Sequence, residues 1–197
     1  MKKSLTIKNI TRIAILATLG AFLMFIDFPI FVAPSFYKLD ISDLPCLIGA
    51  FAMGPISGLF IQIIKILLKL LLKPTSTAFI GELAAFIFSS AFCISASIVY
   101  QSNKTKKGAI KSIIIGSIVL IIVSGLANYF FILEAYSKLY GMPLEAIIGL
   151  GNKIFPIVTD KFSFVLCCVV PFNIIKAVLV DILTIFLYKH ISPLLKG

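Results

Sequence analysis

The sequence predicts an all-α integral membrane protein: a six-helix bundle with a short second helix and two external loops covering an outward-facing pocket. Three observations carry that expectation. Of 197 residues, 60% are hydrophobic and only 13% charged, whereas soluble domains hold about 45–50% and about 25%. Mean hydropathy reaches +1.11. Apolar runs recur at residues 10–28, 44–72, 77–100, 110–133 and 164–188, near or beyond the ~20 residues that cross a bilayer. The length predicts one membrane domain over residues 1–197, with no sizeable soluble unit. This excludes a DNA-binding factor, a soluble dinucleotide-binding enzyme and a secreted disulfide scaffold.

The first run follows a basic start and lacks a small-residue cleavage site, so it predicts a retained span rather than a removed signal. The second run is too long for one span. Its helix would measure roughly 43 Å at about 1.5 Å per residue, against about 30 Å of hydrocarbon. Gly54-Pro55 lies inside it, and proline removes an amide donor and clashes with the preceding turn. The run therefore splits into a short helix at 44–53 and a longer one at 55–72. The remaining runs supply one helix each, giving six. Between them lie two long segments, 27–43 and 134–163, rich in proline, glycine and aromatics. Segments of that length in a compact protein are commonly functional, and their apolar character predicts that they fold over the mouth of the bundle.

The net charge of +10 reads as orientation rather than nucleic-acid binding. With six segments, one side collects Lys2, Lys3, Lys8, Arg12, Lys104, Lys106, Lys107, Lys111, Lys189 and Lys196. The other holds Lys38, Lys69, Lys73, Lys138, Lys153 and Lys161, while Lys65 and Lys176 fall within helices. Positive charge accumulates on the cytoplasmic side, so both termini are expected there, in the cell membrane.

Cys46, Cys93, Cys167 and Cys168 lie in apolar runs without zinc-ligand spacing and read as small buried hydrophobes. The single histidine, His190, stands at the cytoplasmic end, where it reads as interfacial. No HExxH, GxSxG or GxxxxGK[ST] motif occurs. Enzyme, metal and nucleotide chemistry are thus not expected, and any ATP-driven step belongs to another polypeptide.

Polar residues inside apolar helices are expensive and therefore informative. Glu82, Asn128, Asn173, Lys176 and Asp181 qualify. Asn173 and Lys176 are spaced i, i+3 on one helical face, just after Pro171, and the topology puts Asn128 at the same level. Two carboxamides and one ammonium suit a heterocycle with an imide edge, with Phe36, Tyr37, Phe79 and Tyr129 as candidate aromatic walls. The structural alternatives stay open here. Asparagines also bond neighbouring helices at about 0.6–2 kcal/mol. Lys176 has Asp181 or the interface as alternative partners, Glu82 can act as a capping acid, and Ser42 or Asp43 is a ready N-cap before Pro45. In the first helix, Ala14, Ala17, Gly20 and Ala21 form a stripe of small residues, with Ala17 and Ala21 in the small-xxx-small spacing of close helix approach.

The segments KLDISDLPCLIGAFAMGPISGLFIQIIK, GELAAFIF, ANYF and PFNIIK, in that order, resemble the substrate-binding S components of energy-coupling factor (ECF) vitamin transporters, most closely the riboflavin-specific ones. Residues 38–45, matching KxDxSDxP, and 171–176, matching PFNxxK, carry the resemblance. It implies riboflavin capture without chemistry, no cofactor, and a transport complex with a transmembrane coupling subunit and two cytoplasmic ATPases that consume ATP. It places flavin contacts on Asn128, Asn173 and Lys176, with loop contacts from Leu39 and Asp40. Phe79 and Glu82 complete the expected binding set. The partner interface falls on Ala14, Ala17 and Ala21. Two positions depart from the family pattern: Ala85, where it often has Asn, and Ala177, where it often has Gly. No Arg/Lys cluster suited to phosphate is evident along the external segments, which favours free riboflavin over its phosphorylated forms. Two alternatives remain at this stage: an S component for another vitamin, or a small intramembrane lipid-modifying enzyme. A structural membrane protein glued by its asparagines is a third.

Overall fold

The computed structural model describes residues 6–75 and 77–196, with side chains for all of these except Tyr140 and residues 189–196. Lys2, Lys3 and the side chains of Lys189, His190 and Lys196 therefore lie outside the described residues. The first helix, α1 (Ile7–Phe25), starts at Thr6, whose hydroxyl accepts from Asn9 N. It ends before the expected Phe28. There the chain enters β1 (Phe28–Pro29), which pairs antiparallel with β2 (Lys38–Leu39). This two-residue ladder is a small exception to the all-α expectation, and it pins the segment between α1 and the next helix across the bundle end.

The split at Gly54-Pro55 is present: α2 (Asp43–Met53) is followed at once by α3 (Pro55–Leu72). Gly54 adopts φ +99° and ψ 170°, a conformation essentially confined to glycine. Pro55 occupies the first helical position, where its missing N–H leaves nothing unpaired. Gly58 lets the two helices close up, since a Cβ there would lie 2.6 Å from Ala50 Cβ.

Helix α4 (Ile80–Ser102) begins three residues after the expected start, because Ala78 and Phe79 take positive φ. Helix α5 (Lys106–Ala127) is capped by Thr105, which accepts from Gly108 N at 3.0 Å. Gly116 of α5 meets Phe92 and Ala96 of α4 so closely that a Cβ would clash at 2.9 Å.

The expected loop at 134–163 is largely helical. A π turn (Asn128–Ile132) carries α5 straight into α6 (Leu133–Tyr140), which stops at Gly141 with φ +61°. Then follow α7 (Leu144–Asn152), α8 (Lys161–Phe164), a second π turn (Val165–Val169) and α9 (Val170–Lys196). The physical reason is local: no proline interrupts the chain between the run at 110–133 and Pro143, and Leu133 and Tyr136 bury against the loop-end core. Asp160 and Ser163 form a capping box at α8. Hydrogen bonds from the Ser163 amide and hydroxyl hold the Asp160 carboxyl below the ordinary aspartate range.

Among the described residues, five helical stretches are long and apolar enough to cross a membrane: Ile7–Phe25, Pro55–Leu72, Ile80–Ser102, Lys106–Leu139 and Lys161–Tyr188. Helix α2 is the short sixth member. Two apolar clusters fill the bundle. One joins Ile13, Leu47, Phe51, Phe92 and Ile113; the other joins Leu39, Ile80, Leu133, Phe164 and Phe172 at the end carrying β1 and β2. Phe88 packs against both.

Two of the small residues of α1 are buried in the chain's own packing, Ala17 at 0% and Ala21 at 2% exposure, where α1 runs along α2 and α3. Only Ala14 of the three is exposed.

Gly54 gives a direct test of the hairpin. Gly54→Ala opens space to no clash, so its cost is conformational, about 1–3 kcal/mol. It is expected to lower the thermal unfolding midpoint in detergent, whereas Gly149→Ala, at an open helical position, is expected to raise it slightly, because alanine favours the helix.

Candidate functional site

Between the β1–β2 strap and the helix ends lies a cavity of about 460 Å³, within the ~300–1,000 Å³ of small-molecule sites. The chain before α2, together with α3, α4, the π turn after α5, α6 and α9, all reach it. Asp40, Glu82, Asn128, Asn173 and Lys176 line it together, although they are scattered over 136 positions of sequence. Leu39 and Phe79 do not. Leu39 is buried in the loop-end core, and Phe79, turned by its left-handed backbone, is 61% exposed.

Lys176 is not a lone cation. Its Nζ lies 3.3 Å from Asp40 Oδ2 and 3.1 Å from Asp43 Oδ2. Asp43 Oδ1 in turn meets Lys65 Nζ at 3.0 Å, with Lys65 also donating to Ser42 Oγ at 3.0 Å. Gln62 Nε2 approaches the same Asp43 oxygen at 3.4 Å, and Asp40 Oδ1 accepts from Ser42 N at 2.8 Å. Two ammonium groups and two carboxylates thus cancel in the cavity floor. Ser42 stands at the N-cap position of α2 as expected, with Asp43 the first helical residue, but the Ser42 side chain makes no cap hydrogen bond. Asp181, the partner weighed for Lys176, accepts from Ser117 at 2.8 Å instead.

Glu82 accepts from Lys69 and from the hydroxyls of Thr75 and Thr77, both at 2.9 Å. It ties the end of α3 to the start of α4. Asn128, 0% exposed, accepts from Tyr37 OH at 2.6 Å and donates to Ser124 O at 2.8 Å. Asn173 Nδ2 donates to Val169 O at 2.9 Å, and its Oδ1 has no partner among the described residues. Asn128 opens the first π turn, and Asn173 lies in α9 four residues after the second ends, a geometry common near functional sites. Pro171 contributes by withholding the N–H that would pair with Cys167 O.

The aromatic wall differs from the expected one. Phe36 and Tyr37 are present, with ring centroids 4.7 Å apart, and Phe36–Tyr136 and Tyr37–Phe172 contacts extend the wall at 5.2 and 5.4 Å. Tyr129 instead lies under Lys161, 5.2 Å from its Nζ. Charges at the rim also differ from expectation. Lys38, Lys69 and Lys73 all reach the cavity, and no linear stretch revealed that grouping. Lys38 is matched by Asp27 at 3.4 Å and Lys69 by Glu82, which leaves Lys73 as the one excess charge of the lining. Ala85, where the family pattern often has Asn, is part of the lining.

The sequence places Lys65 within an apolar helix but not in the site. The signal was present: a lysine that cannot reach either interface must find a carboxylate. Its partner Asp43 was visible too, but as a cap.

A family model described as "ECF transporter, substrate-specific component" matches residues 8–188. The chain is 30% identical over 189 residues to the riboflavin transporter RibU of Staphylococcus aureus, covering 96% of this chain and 93% of that protein. It is 23% identical to the riboflavin transporter FmnP of Bacillus subtilis, covering 95% and 93%. A solved structure of the S component of a bacterial ECF transporter superposes with a TM-score of 0.73 at 31% identity, over 96% of this chain and 98% of that one.

The floor network has an unequal hierarchy. Asp43→Ala strands the buried ammonium group of Lys65, leaves Lys176 on Asp40 alone, and is expected to cost about 3–5 kcal/mol. Asp40→Ala leaves Lys176 paired with Asp43 and is expected to cost clearly less. Unfolding midpoints of the two variants in the same detergent check the order.

Proposed function

The chain belongs to the substrate-specific components of ECF transporters, and we propose that within this family it captures riboflavin. It is a multi-pass membrane protein that serves transport, not an enzyme, which sets aside lipid modification. One combination carries the substrate reading: Asn173 Oδ1 and Lys176 Nζ beside an aromatic wall, in a chain whose relatives are named riboflavin transporters. A flat heteroaromatic ring stacks on Phe36, Tyr37 and Phe172. Its imide N–H reaches Asn173 Oδ1, and a ring carbonyl or nitrogen takes a proton of Lys176. Asn128, with both amide groups engaged, acts chiefly through Tyr37.

The cavity opens outward in this reading, and both termini are cytoplasmic. A coupling subunit and two ATPases supply the work of reorientation, and the whole of residues 1–197 forms one membrane domain. Leu39, buried behind Asp40, supports the loop rather than touching ligand. The near-neutral lining supports free riboflavin over its phosphorylated forms, despite the lysines at the rim.

Three outcomes are expected from flavin-fluorescence titration of the purified protein. Wild-type chain quenches riboflavin saturably. Asn173→Ala and Lys176→Ala each weaken binding about tenfold or more, the loss expected for one charge-assisted or strategically placed hydrogen bond. Flavin mononucleotide competes less well than riboflavin. A wild-type protein that quenches no flavin points to another vitamin, and equal competition removes the preference for the free form.

A further inference from the structure

Lys65 has no place on the cavity surface, yet it is 1% exposed in an apolar helix, a costly position that calls for a reason. We infer that Lys65 is a positioning residue for the substrate site: from α3 it holds Ser42 and Asp43 so that Lys176 keeps one N–H for a cavity occupant. The inference deepens the riboflavin reading and takes its first probe from it.

Hydrogen counting supports it. An ammonium has three donors. Lys176 uses two, one on Asp40 Oδ2 and one on Asp43 Oδ2, and lines the cavity with the third. That sharing works because Asp43 is already half-neutralised: its other oxygen meets Lys65 at 3.0 Å. Without Lys65, one ammonium faces two buried carboxylates. In low-dielectric surroundings their attraction strengthens steeply, drawing Lys176 away from the cavity and onto the floor. The same lysine fixes Ser42 through its hydroxyl at 3.0 Å, and the Ser42 amide orients Asp40 at 2.8 Å. One side chain thus governs both carboxylate partners of Lys176.

A second observation is independent of charge. The alkyl stem of Lys65 crosses α1 at Gly20, where an added Cβ would stand 2.9 Å from Lys65 Cδ and 3.2 Å from Cγ. Gly20 therefore leaves room for the Lys65 stem on its path to Asp43.

The test is a riboflavin titration of the full chain in detergent. Lys65→Met is expected to weaken binding about tenfold or more. The double variant Lys65→Met/Asp43→Asn, which restores neutrality and leaves the Lys176–Asp40 pair, is expected to bind more tightly than either single variant. Gly20→Ala, which keeps every charge but displaces the stem, is expected to weaken binding severalfold. Wild-type affinity in Lys65→Met overturns the inference, as does a double variant no better than Lys65→Met. If Lys65→Met yields no folded protein, wild-type affinity in Gly20→Ala overturns it. A ligand-free readout separates this from the substrate reading: amine-directed labelling of Lys176, followed by mass spectrometry, is expected to fall severalfold in Lys65→Met and in Gly20→Ala. Unchanged labelling overturns the positioning role even in a chain that quenches no flavin.

Discussion

Asp43 is buried at the first residue of α2 with an ammonium group on each of its two oxygens. Two lysines and two carboxylates are unaffordable singly in an apolar bundle, and together they form a neutral cluster whose geometry is tightly constrained. The cluster joins the chain before α2, through Asp40, Ser42 and Asp43, to α3 through Lys65 and to α9 through Lys176. Those three elements surround the cavity, so the cost of burying charge also determines where the floor of the site lies. The neighbouring Glu82 arrangement repeats the logic at the rim, where Lys69 and two threonine hydroxyls complete the carboxylate.

Local irregularities do the remaining positioning. The π turns at Asn128–Ile132 and Val165–Val169 interrupt two long rods at the level of the cavity without ending them. Asn128 opens the first and Asn173 follows the second by four residues, and each amide donates to a main-chain carbonyl, of Ser124 or Val169. The glycines divide their work in the same way. Gly54 supplies a backbone conformation, Gly58 and Gly116 supply close helix contact, and Gly20 supplies room for a lysine stem.

The small-residue stripe of α1 shows how one pattern serves two ends. Read as spacing, Ala17 and Ala21 invite a partner helix; in the fold, that helix belongs to the chain itself. The opposite face of α1 carries Ala14, Ile15, Leu19 and Phe22 and faces away from the core. Spacing rules state that helices come close, without stating which ones.

The sequence by itself determined the membrane class, the break at Gly54-Pro55, the pairing of Asn173 with Lys176 on one face, and which residues were too polar to be idle. These follow from terms that add along the chain: hydropathy, proline geometry and helical periodicity. The tertiary structure alone decided that Lys176 pairs with Asp40 and Asp43 rather than Asp181, that Lys65 shares that charge, that Phe79 turns outward, and that the 134–163 segment is helical cover. The Lys176–Asp40 contact spans 136 residues, and electrostatic partners are chosen by distance in space, which only packing sets. Composition announces that a buried charge needs a partner; the fold names the partner.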